Sequence, residues 1–159
     1  MRHAGWMWLW SLVLPVQGVL AAMDGLPNRL QCTAKQTAGF HDYPHNEEAY
    51  ESVVFFESAF VLTRNEVLMK HLAAQSPYDA FLTLEHEQQL VELQCRAIRG
   101  ARSQRGLSCS NVPPSELLLL NLENLRFTRT SIGGWTFTGA DESTAGESIY
   151  VEYGQCDSR

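Results

Sequence analysis

Beyond residue 24 the apolar residues of this chain fall in short runs separated by turn formers, and that rhythm restricts the fold more than any single motif. Long amphipathic helices need apolar positions recurring every three to four residues over several turns, and helical periodicity of that kind is weak here. Short β-branched and aromatic runs bounded by Gly, Pro, Asn and Ser suit strands instead. The expected fold is mainly β: an antiparallel barrel or sandwich with at most one or two short helices.

Particular segments make this concrete. Residues 80–84 and 90–97 read as a hairpin around the polar Glu85-His86-Glu87-Gln88. Residues 55–63 read as a strand bent near Glu57-Ser58, where the apolar positions change parity. Residues 65–73 suit a short helix capped by Asn65, with Leu68 and Leu72 four residues apart. Residues 117–120 read as a strand buried on both faces, a helix starting at Ser115 being the alternative. At the C-terminal end a meander is expected: strands over 125–131, 135–139 and 149–153, the first two joined by a three-residue loop at 132–134. That loop length puts Leu125, Phe127, Trp135 and Phe137 on one face. Residues 141–146 form the second connection.

Residues 1–21 read as an export signal, with Arg2 ahead of a short apolar core at 6–14 and a break at Pro15, Gln17 and Gly18. Val19-Leu20-Ala21 offers acceptable residues for a signal peptidase at its first and third positions. The apolar core is too short and too interrupted for a spanning helix, which needs about 20 mainly apolar residues. Removal of this segment leaves a single domain over 22–159, with no stable membrane span. With Arg2 gone, eleven basic residues face eighteen acidic ones, a formal −7 against −6 for the whole chain. An acidic domain lacks the basic footprint of a nucleic-acid binder.

All four cysteines, Cys32, Cys95, Cys109 and Cys156, lie past the leader. An even number in an exported chain favours two disulfides, and the absence of any C-x-x-C removes the thioredoxin-type redox motif and the paired zinc knuckle. Four cysteines allow three pairings. The pairing favoured is Cys95 with Cys109, closing a polar loop, and Cys32 with Cys156, joining the first strand to the last.

Four constellations carry candidate chemistry. His41-Asp42-Tyr43-Pro44-His45, with His71 or His86, has metal-ligating residue types, but Pro44 excludes the helix that would organise them, and a solvated loop is expected. Arg96, Arg99, Arg102 and Arg105, interleaved with Gly, Ser and Gln, make a local positive loop on an acidic chain; Arg99, Arg102 and Arg105 are the candidate contacts for a phosphate, an anionic head group or an acidic partner. Phe127, Trp135 and Phe137 would line a pocket in a closed barrel, although an ordinary core needs the same residues. Glu85-His86-Glu87 and Asp141-Glu142 contain acids and bases with no indicated convergence. The nucleophile elbow, the H-E-x-x-H helix, the Walker loop and the dinucleotide fingerprint are absent, so no catalytic, cofactor or metal residue is assigned.

The order Cys32, Ala38-Gly39-Phe40, Phe56 and Phe60, Leu93-Gln94-Cys95, Cys109, Leu125-Arg126-Phe127-Thr128, Gly133-Gly134-Trp135 and Tyr153-Gly154-Gln155-Cys156 resembles a group of small exported bacterial β-rich proteins of unknown function. The resemblance implies an extracytoplasmic setting and a disulfide-braced β fold, and transfers no catalytic residue. Periplasmic lysozyme inhibitors are similar in size and construction, without a matching active-site-plugging loop here. The expectation is an exported, non-enzymatic binding or interaction protein of the envelope, periplasmic or secreted, without cofactor. It would hold a small apolar ligand or envelope component, or alternatively act on a partner protein through the arginine-rich loop 96–106.

Overall fold

The computed structural model describes residues 26–41, 51–54, 56–72, 76–100, 104–112, 115–132 and 148–158. They form nine antiparallel strands and one helix: β1 Arg29–His41, β2 Glu51–Val54, β3 Ala59–Arg64, α1 Glu66–Leu72, β4 Ala80–His86, β5 Gln89–Arg99, β6 Arg105–Ser110, β7 Glu116–Asn121, β8 Arg126–Ser131 and β9 Ser148–Ser158. The expected leader, residues 1–21, lies outside the described residues.

Closure comes from the long first and last strands. β1 pairs with β9 along nearly its whole length, from Leu30 opposite Ser158 to His41 opposite Ser148. Its other edge is shared end to end, the first half by β3 and the second half by β2. β2 and β3 therefore act as one stave broken at Phe56–Ser58, where the bend was expected, and the sheet is an eight-stranded closed antiparallel barrel. Every other neighbour in the sheet is also the neighbour in sequence, so the chain runs up and down. An eight-stranded barrel is just wide enough for side chains to fill.

The alternation of the strands decides what fills it. Leu82 and Leu84 on β4, Leu93 and Cys95 on β5, Leu107 and Cys109 on β6, Leu118 and Leu120 on β7 and Phe127 on β8 are all buried. The disulfides are Cys32–Cys156 and Cys95–Cys109. Each joins residues directly opposite one another on adjacent strands, β1 with β9 and β5 with β6. The two seams are half-way around the barrel from each other, and their sulfurs belong to the apolar core.

Three expectations need correction or refinement. β7 is a strand, but it is not buried on both faces: Leu118 and Leu120 are buried while Leu117 and Leu119 are 43% and 42% exposed. A barrel wall has one covered face, and only the inward leucines are enclosed. The meander is also different, because β8 is paired on both edges, Thr128 lying between Leu119 and Tyr153. Residues 133–147, with Trp135, Phe137 and the connection at 141–146, lie outside the described residues. In α1 the capping is as expected, Asn65 Oδ1 accepting from the Leu68 amide at 3.1 Å. The residue that packs on the core from this helix is Met69.

Candidate binding groove

The loop from β5 to β6 and the turn from β7 to β8 lie at the same end of the barrel and are laced together. The Gly100 amide donates to the Gln104 carbonyl at 2.7 Å, closing the base of the first loop. The Asn121 side-chain amide donates to Gln104 Oε1 at 3.2 Å, while Asn121 Oδ1 accepts from the amides of Glu123 and Asn124 at 2.8 and 3.2 Å. Glu123 reaches back to accept from the Arg105 amide at 3.3 Å, and the Leu122 amide donates to the Arg105 carbonyl at 3.0 Å. Two surface connections are thereby held in one fixed relation, as a binding surface on loops requires.

Between them, on the outer wall, runs an open groove of about 220 Å³. Its floor is apolar, with Ile98, Leu119 and the Gly106 backbone, and its polar margin carries Gln104, Asn121, Arg105 and Arg126. Gly106 makes the depression: a Cβ there would lie 3.0 Å from the Leu120 carbonyl oxygen and 3.3 Å from Ile98 Cγ1. Glycine within a strand often marks such a close approach. Arg99 stands directly opposite Arg105 in the ladder, both exposed, and the exposed Arg126 adds a cation from β8.

Of the arginines picked out in the sequence, Arg99 and Arg105 thus stand together at this end, Arg102 lies outside the described residues, and Arg96 stacks on Tyr78 with its guanidinium carbon 5.3 Å from the ring centre. Arg126, Gly106 and Leu119 were not among the candidate contacts. The signal for them was parity, since Leu119 and Arg126 occupy outward positions once Leu118, Leu120 and Phe127 point inward. Of the histidines, His71 is on α1 at the groove end, while His41 ends β1 and His86 ends β4 at the other end. The sequence 42–45, like Asp141 and Glu142, lies outside the described residues. Among the described residues no group of three or more His, Cys, Asp or Glu side chains is arranged to hold a metal.

A second polar assembly lies inside the barrel and was missed altogether. Arg129 and Glu152, 3% and 0% exposed, form an ion pair at 3.1 Å. Arg129 also grips Glu116 with two hydrogen bonds, Nε to Oε2 at 2.9 Å and Nη2 to Oε1 at 3.3 Å. The second oxygen of Glu152 accepts from the Ser58 hydroxyl at 2.6 Å and from Thr37 at 3.4 Å. The guanidinium sits over the rings of Phe60 and Tyr150, at 5.2 and 5.4 Å. Burial alone would lower the Arg129 pKa; the hydrogen bond and charge of Glu116, with the charges of Tyr150 and Glu152, hold it above its ordinary value. Tyr150 is pushed up to about 12, first by burial and then by the two carboxylates, against the opposing pull of Arg129. Each polar atom named here is matched within the cluster, so the arrangement braces the barrel rather than presenting groups to a ligand.

Comparisons with protein-family models, with curated proteins and with solved structures all return no match. The groove and the interior cluster must be weighed on their own chemistry. Of the two, only the groove combines open volume, an apolar floor and exposed charge.

Proposed function

We propose that this chain is an exported, non-enzymatic binding protein of the cell envelope that takes an anionic ligand with an apolar portion in the groove beside the 100–104 loop. The observation that carries this reading is the pairing of an apolar floor at Ile98, Gly106 and Leu119 with a margin supplied by Arg105 and Arg126, on a chain of formal charge −6. A cationic margin on an otherwise acidic protein selects anions by field as well as by contact. The apolar floor adds a term that a bare phosphate cannot use. In this reading the arginine loop acts with an apolar floor on the outer wall, rather than with a pocket inside the barrel.

The leader and the two enclosed disulfides support an extracytoplasmic setting, periplasmic or secreted, because such bonds persist where thiols are oxidised. No helix among the described residues is long and apolar enough to cross a membrane. The interior offers less: the described positions facing into the apolar half are occupied by buried Leu, Phe and cystine.

Titration of isotopically labelled protein with octyl phosphate, and with neutral octyl glucoside as control, tests the reading by amide shifts. Saturable shifts at 98–106 and 119–128 with octyl phosphate, reduced in Arg105→Gln/Arg126→Gln, are expected. Equal response to the neutral amphiphile, or shifts that ignore the double substitution, would overturn it.

A further inference from the structure

The groove opens at one end onto a wall with an unusual composition. On the outer face, Leu117 and Leu119 of β7, Thr128 and Thr130 of β8, and Val151 and Tyr153 of β9 stand in two adjacent rows in register. None is Asp, Glu, Lys or Arg, and the outward positions that extend these rows onto β6 and β1 add only Ser108, Ser110, Gln36 and Ala38. Leu117, Leu119, Val151 and Tyr153 are each between 42% and 51% exposed. The far wall contrasts with it, since outward positions on β4 and β5 include Glu85, Glu92 and Arg96. Scattered apolar residues on a surface need no explanation, but a contiguous uncharged face bordered by arginines does.

We infer that this face docks the protein on an anionic lipid surface, with Arg99, Arg105 and Arg126 meeting head groups and the leucine–valine–tyrosine rows resting at the acyl boundary; the inference rests on the groove being an anion-binding site. Charge complementarity argues for the lipid surface: Arg126 stands outward on β8 beside Thr128, and Arg99 and Arg105 stand exposed at the rim of the same end of this uncharged wall. A second copy of this acidic chain would bring no anionic counterpart that the arginines do not also meet on the membrane, and would not need them aligned with an apolar face. Peripheral docking combines these two features, apolar contact and attraction to anionic head groups. Spanning is excluded by length, as β6, β7 and β8 have six residues each and a spanning strand needs about 9–11.

The test is flotation of protein purified from the exported fraction, its N-terminus determined, with vesicles of phosphatidylcholine alone or containing one-third phosphatidylglycerol. Binding to the anionic vesicles only, lost at high salt, is expected. Arg99→Gln/Arg126→Gln should weaken it roughly 30-fold, at about tenfold per 1.4 kcal/mol and about 1 kcal/mol per cation. Leu117→Ser and Leu119→Ser, at exposed positions and verified by circular dichroism, should weaken it while leaving the salt dependence. Equal flotation with both vesicle types, or wild-type flotation of the leucine variants, would overturn the docking proposal. If octyl phosphate binds the groove and anionic vesicles do not float the protein, docking fails and the groove reading stands; if neither binds, both fail.

Discussion

The barrel interior has two regions built on opposite physical terms. One half is enclosed by Leu30, Leu62, Leu82, Leu93, Leu107, Leu120 and the two cystines, all 2% exposed or less. The other holds Arg129 between Glu116 and Glu152, one cation for two carboxylates. Phe60 lies between them, edge-on to Phe127 at 4.9 Å on one side and under the Arg129 guanidinium on the other. The apolar half gains from every buried methylene, about 0.8 kcal/mol each. Its partner begins in deficit, because charges taken out of water recover their hydration only through near-complete hydrogen bonding. What the charged half contributes is register: Glu152, Arg129 and Glu116 meet only if β7, β8 and β9 pair as they do, and a one-residue slip would turn all three outward.

Substitutions should therefore hurt the two halves for different reasons. The largest loss is expected at Cys32–Cys156, which spans 124 residues: Cys32→Ala/Cys156→Ala should cost about 5 kcal/mol in urea unfolding on the chain-entropy argument. Next comes Arg129→Met, which leaves two enclosed carboxylates without a cation and should cost about 4 kcal/mol. The comparison sharpens when Arg129→Met is combined with Glu116→Leu and Glu152→Leu. If the charged half supplies register rather than stability, the triple variant should recover most of that loss while broadening amide resonances along β7–β9. A triple variant as unstable as the single one would show that the cluster contributes net stability. Cys95→Ala/Cys109→Ala, closing a separation of only 14, should cost about 3 kcal/mol.

This division also marks how far the sequence could be read. The apolar half was legible because its signals are local: β-branched and aromatic runs, turn residues, a capping asparagine, and cysteines whose favoured pairing is the one present. The charged half depends on long-range register. Arg129 shares inward parity with Phe127, and Glu152 with Gly154 and Cys156, but each looks like an ordinary surface charge until the partner strand is known. The expected meander failed for the same reason, since nothing in residues 125–153 announces that β9 pairs directly with β8. The groove lay between these cases: its arginine loop could be seen, whereas Arg126 and Gly106 join it only when β5 to β8 are side by side.

Alkaline pH offers a gentler probe of the charged half. Tyr150 has its pKa raised to about 12 from 10.0, so the folded protein keeps the phenol protonated where the unfolded chain would lose the proton. The stability this represents is complete below pH 10 and is lost as pH rises through 12. With the ring partly accessible to solvent, the loss should be about 1–2 kcal/mol. Comparing urea midpoints at pH 9 and pH 11.5 for wild type and Tyr150→Phe isolates it. A wild-type decline no steeper than that of the phenylalanine variant would remove Tyr150 from the cluster's energetics.

The smallest effect is expected where the charged end carries backbone strain. The β4–β5 hairpin turns at Glu87 and Gln88, with φ of 47° and 68°. Both values are left-handed, as a two-residue type I′ turn requires, yet neither residue is Asn, Asp or Gly, which tolerate that region. Each ordinary side chain held there costs about 1–2 kcal/mol. Glu87→Asn/Gln88→Gly should therefore stabilise the barrel by about 1 kcal/mol after the added freedom of glycine in the unfolded chain is subtracted. The hairpin is at the opposite end from the groove, so the same variant should bind octyl phosphate as wild type does. A gain in stability accompanied by altered binding would mean that the two ends are mechanically coupled through β5, the strand that begins at this turn and ends at Arg99.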